Sequence, residues 1–235
     1  MKEARTKKNV TYLLFYNIVQ AIGWTAVLAS SLRTFMNSKN MSSYSDDDNI
    51  SNNDYFLQSI YQTGARKFIV TFQLLAMLET VHAIARVVKS PIAPSFMQFL
   101  GRIHVLNLID SIMPLQRTTA CGVLILCWSL IDIVRYLSYS LGVCRDATPK
   151  WLTYLRYTLF IPLYPMGAAA EMKLMYDSIG FVKRVEMYYV SMPNRMNFAF
   201  DYSWFLYLVL ALYPLLFAQM YFYMFAQRRR KLKKA

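Results

Sequence analysis

The sequence predicts an all-α integral membrane protein, a bundle of about six transmembrane helices with both termini in the cytosol. Three observations carry that expectation. Of the 235 residues, 56% are hydrophobic and only 17% charged, well below the roughly 25% charged residues of soluble domains. Six stretches, at 10–30, 67–88, 96–115, 119–141, 151–176 and 199–226, are apolar enough to cross a hydrocarbon core, which takes about 20 helical residues. Finally, the basic residues are unevenly shared. Fourteen lie in the N-tail (Lys2, Arg5, Lys7, Lys8), the second and fourth loops (Arg86, Lys89, Arg145, Lys150) and the basic tail 227–235, against eight in the opposite loops. The richer side is the cytosolic one.

The same numbers exclude other classes. A net charge of +13 in a soluble chain would point to nucleic acid, but no base-reading module is present and the charge sits at the ends and in short loops. Three cysteines and two histidines, without CxxC or zinc spacing, leave no disulfide framework and no histidine-based metal site. The whole chain, 1–235, reads as a single multi-pass domain.

Taken in order, the first stretch follows a basic segment and ends in small residues from Ala26 to Ser30, as a cleaved signal peptide would. Tyr12, Asn17, Gln20 and Trp24 make it too polar for a simple signal core. The long polar segment 33–66, with Asp46, Asp47, Asp48 and Asp54 and glycosylation-type tripeptides at Asn40 and Asn49, suits the lumenal side. In the second stretch Glu79, His82 and Arg86 are spaced to share one helical face. A proline turn at Ser90–Pro94 leads to the third stretch, with Arg102, His104 and Asp110. The fourth carries Asp132 and Arg135 at i, i+3, an ion pair along one helix that either fixes packing or serves a site. Thr148–Pro149 marks the start of the fifth. The closing Lys231-Leu232-Lys233-Lys234-Ala235 reads either as a charge anchor or as a retrieval signal of the endoplasmic reticulum.

The fifth stretch is the most informative. Tyr164 and Glu171 are seven apart, so they return to within about 20° of one face, about 10 Å apart along the axis. Gly167 and three alanines lie between them, leaving room for a ligand between two proton-transfer groups. Pro162 and Pro165 remove backbone donors and are expected to bend the helix. Ordinary helix packing accounts for the Gly-Ala run equally well. It does not account for a carboxyl deep in an apolar span.

These residues resemble a known signature. Arg156-Tyr157-x-x-Phe160-x-x-x-Tyr164-Pro165-x-Gly167-x-x-x-Glu171 is similar to that of the very-long-chain (3R)-3-hydroxyacyl-CoA dehydratases, once called protein tyrosine phosphatase-like proteins. Tyr16-Asn17 to Gly23-Trp24, Leu78-Glu79 to His82, and Met192-Pro193-Asn194 through Asn197-x-x-Phe200-Asp201-Tyr202 agree with it. The resemblance implies an enzyme of the endoplasmic reticulum membrane that removes water from a 3-hydroxyacyl-CoA in fatty acid elongation. It implies Tyr164 and Glu171 as the catalytic pair and Arg156, Gly167, Arg135 and Arg102 as supports, with Asp132 standing where the family usually has Glu. Phosphatase chemistry is excluded at the one comparable segment: His82-Ala83 through Lys89-Ser90 has alanine at the nucleophile and lysine at the phosphate clamp.

The expected mechanism is acid-base elimination. One of Tyr164 and Glu171 takes the C2 proton and the other protonates the leaving hydroxyl. Arg135, Arg156 or a backbone N–H freed by Pro165 would stabilise the thioester oxygen. No cofactor is required beyond the CoA of the substrate. Arg86, Lys89, Arg145 and Lys150 are candidates for holding CoA phosphates, or are plain cytosolic-side charge. Expected partners are the acyl-CoA, the lipid bilayer and the other elongation enzymes (condensing enzyme and reductases), with no nucleic acid. The rival is a catalytically inactive membrane scaffold or lipid-handling protein whose buried charges are structural.

Overall fold

The structure is a computed structural model that describes residues 7–42, 61, 65–88, 92–144, 148–195 and 197–233. Its first helix, α1 (Lys7–Ser42), runs beyond the predicted span. From Trp24 to Ser42 there is neither glycine nor proline to end it. The start of the polar 33–66 segment is therefore helix, with Asn40 in its last turns, while Asn49 lies outside the described residues.

The predicted second span is two helices, α2 (Ala65–Leu75) and α3 (Met77–Ile84), joined at Ala76. The helix stops at Ile84 and Arg86 takes a left-handed φ of 56°. Glu79 and His82 keep their shared face. Arg86 leaves it, contrary to the spacing argument, because that argument holds only while the helix continues. The third span is α4 (Ile92–Ser111), cut short by an extended Ile112 before the single turn α5 (Met113–Gln116), which has Pro114 in its first turn.

Next come α6 (Thr119–Cys144), α7 (Lys150–Arg184) and α8 (Tyr202–Leu232). As expected, α7 starts directly after Pro149, but it passes through Pro162 and Pro165 as one continuous helix. Pro165 lacks the N–H that would reach the carbonyl of Ile161 four residues back. The Tyr221 hydroxyl of α8 donates to that carbonyl instead, at 2.9 Å. The α8 N-terminus is capped by Asp201, which accepts from the Ser203 backbone N–H at 2.8 Å. Ahead of it, an antiparallel bridge between Val190 and Phe200 closes the connecting loop.

The layers follow a chain of contacts, α1 on α6, α6 on α7 and α7 on α8, with α2 on α1 and α4 beside α3 and α7. Trp24, Leu108, Leu124, Tyr136, Leu174 and Leu206 are fully buried in one core. α1 and α2 pack tightly at Gly23, where a Cβ would lie 2.2 Å from the Phe72 ring. Outward, α8 exposes Trp204, Leu208, Leu215 and Phe222, the surface expected of a helix solvated by lipid. Four segments, Asn9–Thr34, Ala65–Ile84, Thr119–Cys144 and Tyr202–Leu232, are long and apolar enough to cross a membrane. The chain is an all-α, multi-pass membrane protein. α4 and α7 fall short of that measure because they carry polar groups, some buried, as Arg102 is, and others exposed, as Lys173 is.

Candidate active site

An ionic cluster sits between α3, α4 and α6. Asp132, fully buried, is ion-paired with Arg102 of α4. On its own helix it contacts Arg135 at 3.1 Å through Oδ1, without hydrogen-bond geometry. Arg135 in turn reaches Glu79 of α3 at 3.3 Å and donates to the Tyr136 hydroxyl at 3.1 Å, while Tyr136 donates to Glu79. The i, i+3 pair predicted within α6 is present, extended at each end by a partner from another helix. Two guanidinium groups balance two carboxylates, so the cluster is close to neutral when ionised. That satisfies the requirement that buried charge be compensated. A small cleft lined by Gln73, Glu79, Gln98, Phe99, Arg102 and Arg135 among others opens beside it.

Tyr164 lies within the field of Arg135, Arg102, Asp132 and Arg156, its ring edge-on to Phe160 at 5.7 Å. Among the described residues no Lys or Arg is ion-paired with Glu171. Its carboxylate accepts from Trp128 Nε1 of α6 at 3.0 Å and from the Tyr213 hydroxyl of α8 at 2.5 Å. Trp128 also receives Arg102 over its ring, 5.0 Å from the centroid. α6 and α7 run antiparallel: Glu171 and Gly167 meet Trp128 and Cys127, and Arg156 meets Tyr139 further along the same pair of helices.

Two expectations change here. The space opposite Gly167 is occupied by α6, since a Cβ there would stand 3.6 Å from Cys127 Cβ, an ordinary contact. The predicted N–H freed by Pro165 is also wrong in kind. A proline frees the carbonyl four residues back, and Tyr221 already engages it. Arg156 stacks on Tyr139 at 4.6 Å and donates to its hydroxyl at 3.3 Å. Of the four candidate phosphate ligands, Arg86 and Lys150 are exposed near helix ends, whereas Lys89 and Arg145 lie outside the described residues.

The profile of the family described as protein tyrosine phosphatase-like protein, PTPLA, matches residues 73–234. The chain belongs to the PTPLA family. A Caenorhabditis elegans relative, very-long-chain (3R)-3-hydroxyacyl-CoA dehydratase hpo-8, is 31% identical over 94% of this chain and 94% of its own. Mouse very-long-chain (3R)-3-hydroxyacyl-CoA dehydratase 1 is 32% identical over 98% of this chain and 78% of its own. Human dehydratase 2 of the same name is 31% identical over 93% and 80%. No solved structure matches.

The fold brings three arginines, Arg102, Arg135 and Arg156, within the field of Tyr164. Two groups that touch Glu171, Trp128 and Tyr213, were not singled out by the sequence. With 18 tyrosines and 4 tryptophans in the chain, no pattern marks these two; only the helix register does. His82 and His104 are not part of the cluster: each meets a tyrosine hydroxyl, His82 that of Tyr12 at 2.8 Å and His104 that of Tyr202 at 2.6 Å.

Proposed function

We propose that this protein dehydrates long- and very-long-chain (3R)-3-hydroxyacyl-CoA to the trans-2-enoyl-CoA, with Tyr164 and Glu171 as the proton-transfer pair. The observation that carries the reading is the different setting of the two groups on α7. Both Glu171 oxygens accept hydrogen bonds, one of them from an indole that can only donate. Those two donors fix the carboxylate in one orientation, as a base requires. Tyr164 lies within the field of Arg102, Arg135 and Arg156, which stabilise the negative charge that develops as it gives up a proton.

The step balances without a redox partner. Glu171 takes the C2 proton, whose acidity comes from the thioester. The C2–H electron pair becomes the second bond between C2 and C3. The C3–O bond breaks, and the oxygen leaves as water with the Tyr164 proton. Transfer of the C2 proton from Glu171 back to the phenolate, directly or through water, resets the pair. Arg102 and Arg135, at the small cleft, are placed to meet charge developing on the thioester oxygen.

Six crossings, with α4 and α7 inside the bundle, put both termini in the cytosol and the 33–66 segment in the lumen. The C-terminal lysines and the reaction itself fit residence in the endoplasmic reticulum membrane, beside the condensing enzyme and the reductases that make and consume these thioesters. On this reading sealed microsomes protect the 33–66 segment from added protease; cleavage there reverses the orientation.

The test of the reaction is dehydration of 3-hydroxypalmitoyl-CoA by purified membranes. Tyr164→Phe and Glu171→Ala should each lower kcat by about 10²–10⁴-fold, the range of a lost general acid or base. Unchanged turnover in both variants removes the site assignment. No turnover by the unaltered protein leaves the scaffold reading.

A further inference from the structure

Beyond the proposed pair, the richest unassigned contact in the bundle is the one around the Glu171 carboxylate. Two donors from two different helices close on it, Trp128 Nε1 from α6 at 3.0 Å and the Tyr213 hydroxyl from α8 at 2.5 Å. Trp128 is buried and is also the residue over which Arg102 stacks, 5.0 Å from its centroid. One indole thus touches the ion cluster with its face and the carboxylate with its edge. A cation on the face of an aromatic ring is attracted to its electron density and draws that density toward itself. The N–H at the edge becomes the stronger donor in consequence.

We propose that Trp128 and Tyr213 are positioning residues of the elimination. They hold the Glu171 carboxylate at a fixed rotation, and Trp128 couples it to the charge of Arg102. The inference rests on the proposed role of Glu171 as the base. A free carboxylate on a helix has several rotamers, and only those aiming a lone pair at C2 are productive. Donors from α6 and α8 remove that freedom before substrate arrives. Neither donor touches the reacting carbon, so both act through Glu171.

A purely structural role is the competing account, since both side chains also fill the core. The variants chosen keep an aromatic ring at each position. Tyr213→Phe removes one oxygen, and Trp128→Phe keeps an aromatic ring beneath Arg102 while removing the N–H. With 3-hydroxypalmitoyl-CoA, each should lower kcat by about 10- to 100-fold, as expected for a hydrogen bond to a charged group, with KM changed less than about threefold. The deuterium isotope effect at C2 should rise in both, because C–H cleavage becomes the slow step. A merely structural loss lowers the amount of active protein and leaves KM and the isotope effect of what remains unchanged.

The double variant supplies the second arm. If both donors act on one carboxylate, its loss is less than the product of the single losses. Wild-type kcat in both single variants overturns the proposal, as does a fall in kcat with no change in the isotope effect. Trp128→His, which keeps a ring N–H, is the rescue arm: recovery of at least part of kcat over Trp128→Phe supports the donor role, and no recovery opposes it; should Trp128→Phe fail to fold, Tyr213→Phe carries the kcat and isotope-effect readout, with the same outcomes. Absence of dehydration in the unaltered protein is a different outcome, and it removes the functional reading itself.

Discussion

Pro165 in the middle of α7 offers a test of how this bundle keeps its backbone satisfied. The proline withholds an N–H from the Ile161 carbonyl, and Tyr221 from α8 supplies an O–H in its place at 2.9 Å. In Tyr221→Phe the carbonyl loses its donor in a region without water. The cost of such an unpaired group is about 1–3 kcal/mol, and measured interhelical hydrogen bonds in membranes fall at about 0.6–1.7 kcal/mol. At about 2–4 °C per kcal/mol for a chain of this size, the detergent-solubilised variant should melt about 2–6 °C lower. Pro165→Ala restores the N–H to the ladder and makes the hydroxyl redundant. Tyr221→Phe in that background should then cost less than about 0.5 kcal/mol. The assay is a four-protein thermal or denaturant cycle. Equal costs of Tyr221→Phe with and without Pro165 would falsify the idea that the tyrosine answers the proline.

Four further outcomes follow from the same contacts. Gly167→Ala places a Cβ at an ordinary 3.6 Å from Cys127, so its melting temperature should stay within about 2 °C of the unaltered protein, and dehydration should change less than about twofold, because α6 rather than substrate lies opposite that position. Gly23→Ala drives a Cβ to 2.2 Å from Phe72 and should cost about 1–3 kcal/mol, relieved in large part by Phe72→Leu, as a double-mutant melting cycle would record. Asp132→Asn leaves Arg102 and Arg135 short of a buried partner and should destabilise by about 3–5 kcal/mol, whereas Lys173→Met, at the exposed pair with Asp177, should cost less than about 1 kcal/mol in the same assay.

The fourth concerns pH. Asp201, outside the spans, accepts from Ser203, and these hydrogen bonds hold its carboxyl below the ordinary value near 3.8. A depressed folded value adds stability above the unfolded value and loses it as pH falls through the folded one. Hydrogen-exchange protection at the α8 N-terminus should therefore hold steady down to about pH 4 and decline below it, and Asp201→Asn should abolish the dependence.

The long helices were legible because a lipid-solvated chain announces its spans by composition, and α6 and the start of α7 fall where the apolar runs and Pro149 put them. Their ends were less legible. α1 runs on into Ser42 for want of a breaker, and α3 stops before Arg86 with no proline or glycine to signal it. At the site, Asp132 with Arg135 could be read along one helix, and Tyr164 and Glu171 from their spacing on another. Arg102, Glu79, Trp128 and Tyr213 each reach their partner from a different helix, four helices in all, and spacing along a chain carries no information about which turns of two helices lie opposite.

The amino-acid sequence by itself determined the solvent of this protein, its helical class, its family and the polar residues that an apolar span does not hold without a purpose. Tertiary structure decided the partners. It is the antiparallel register of α6, α7 and α8 that lays an indole and a phenol on Glu171 and a tyrosine on the carbonyl Pro165 leaves open, and the placement of α4 beside α3 and α7 that lays Arg102 on Asp132. Those contacts form because in a medium without water each buried polar group must find its complement on a neighbouring helix, and only packing determines which neighbour that is.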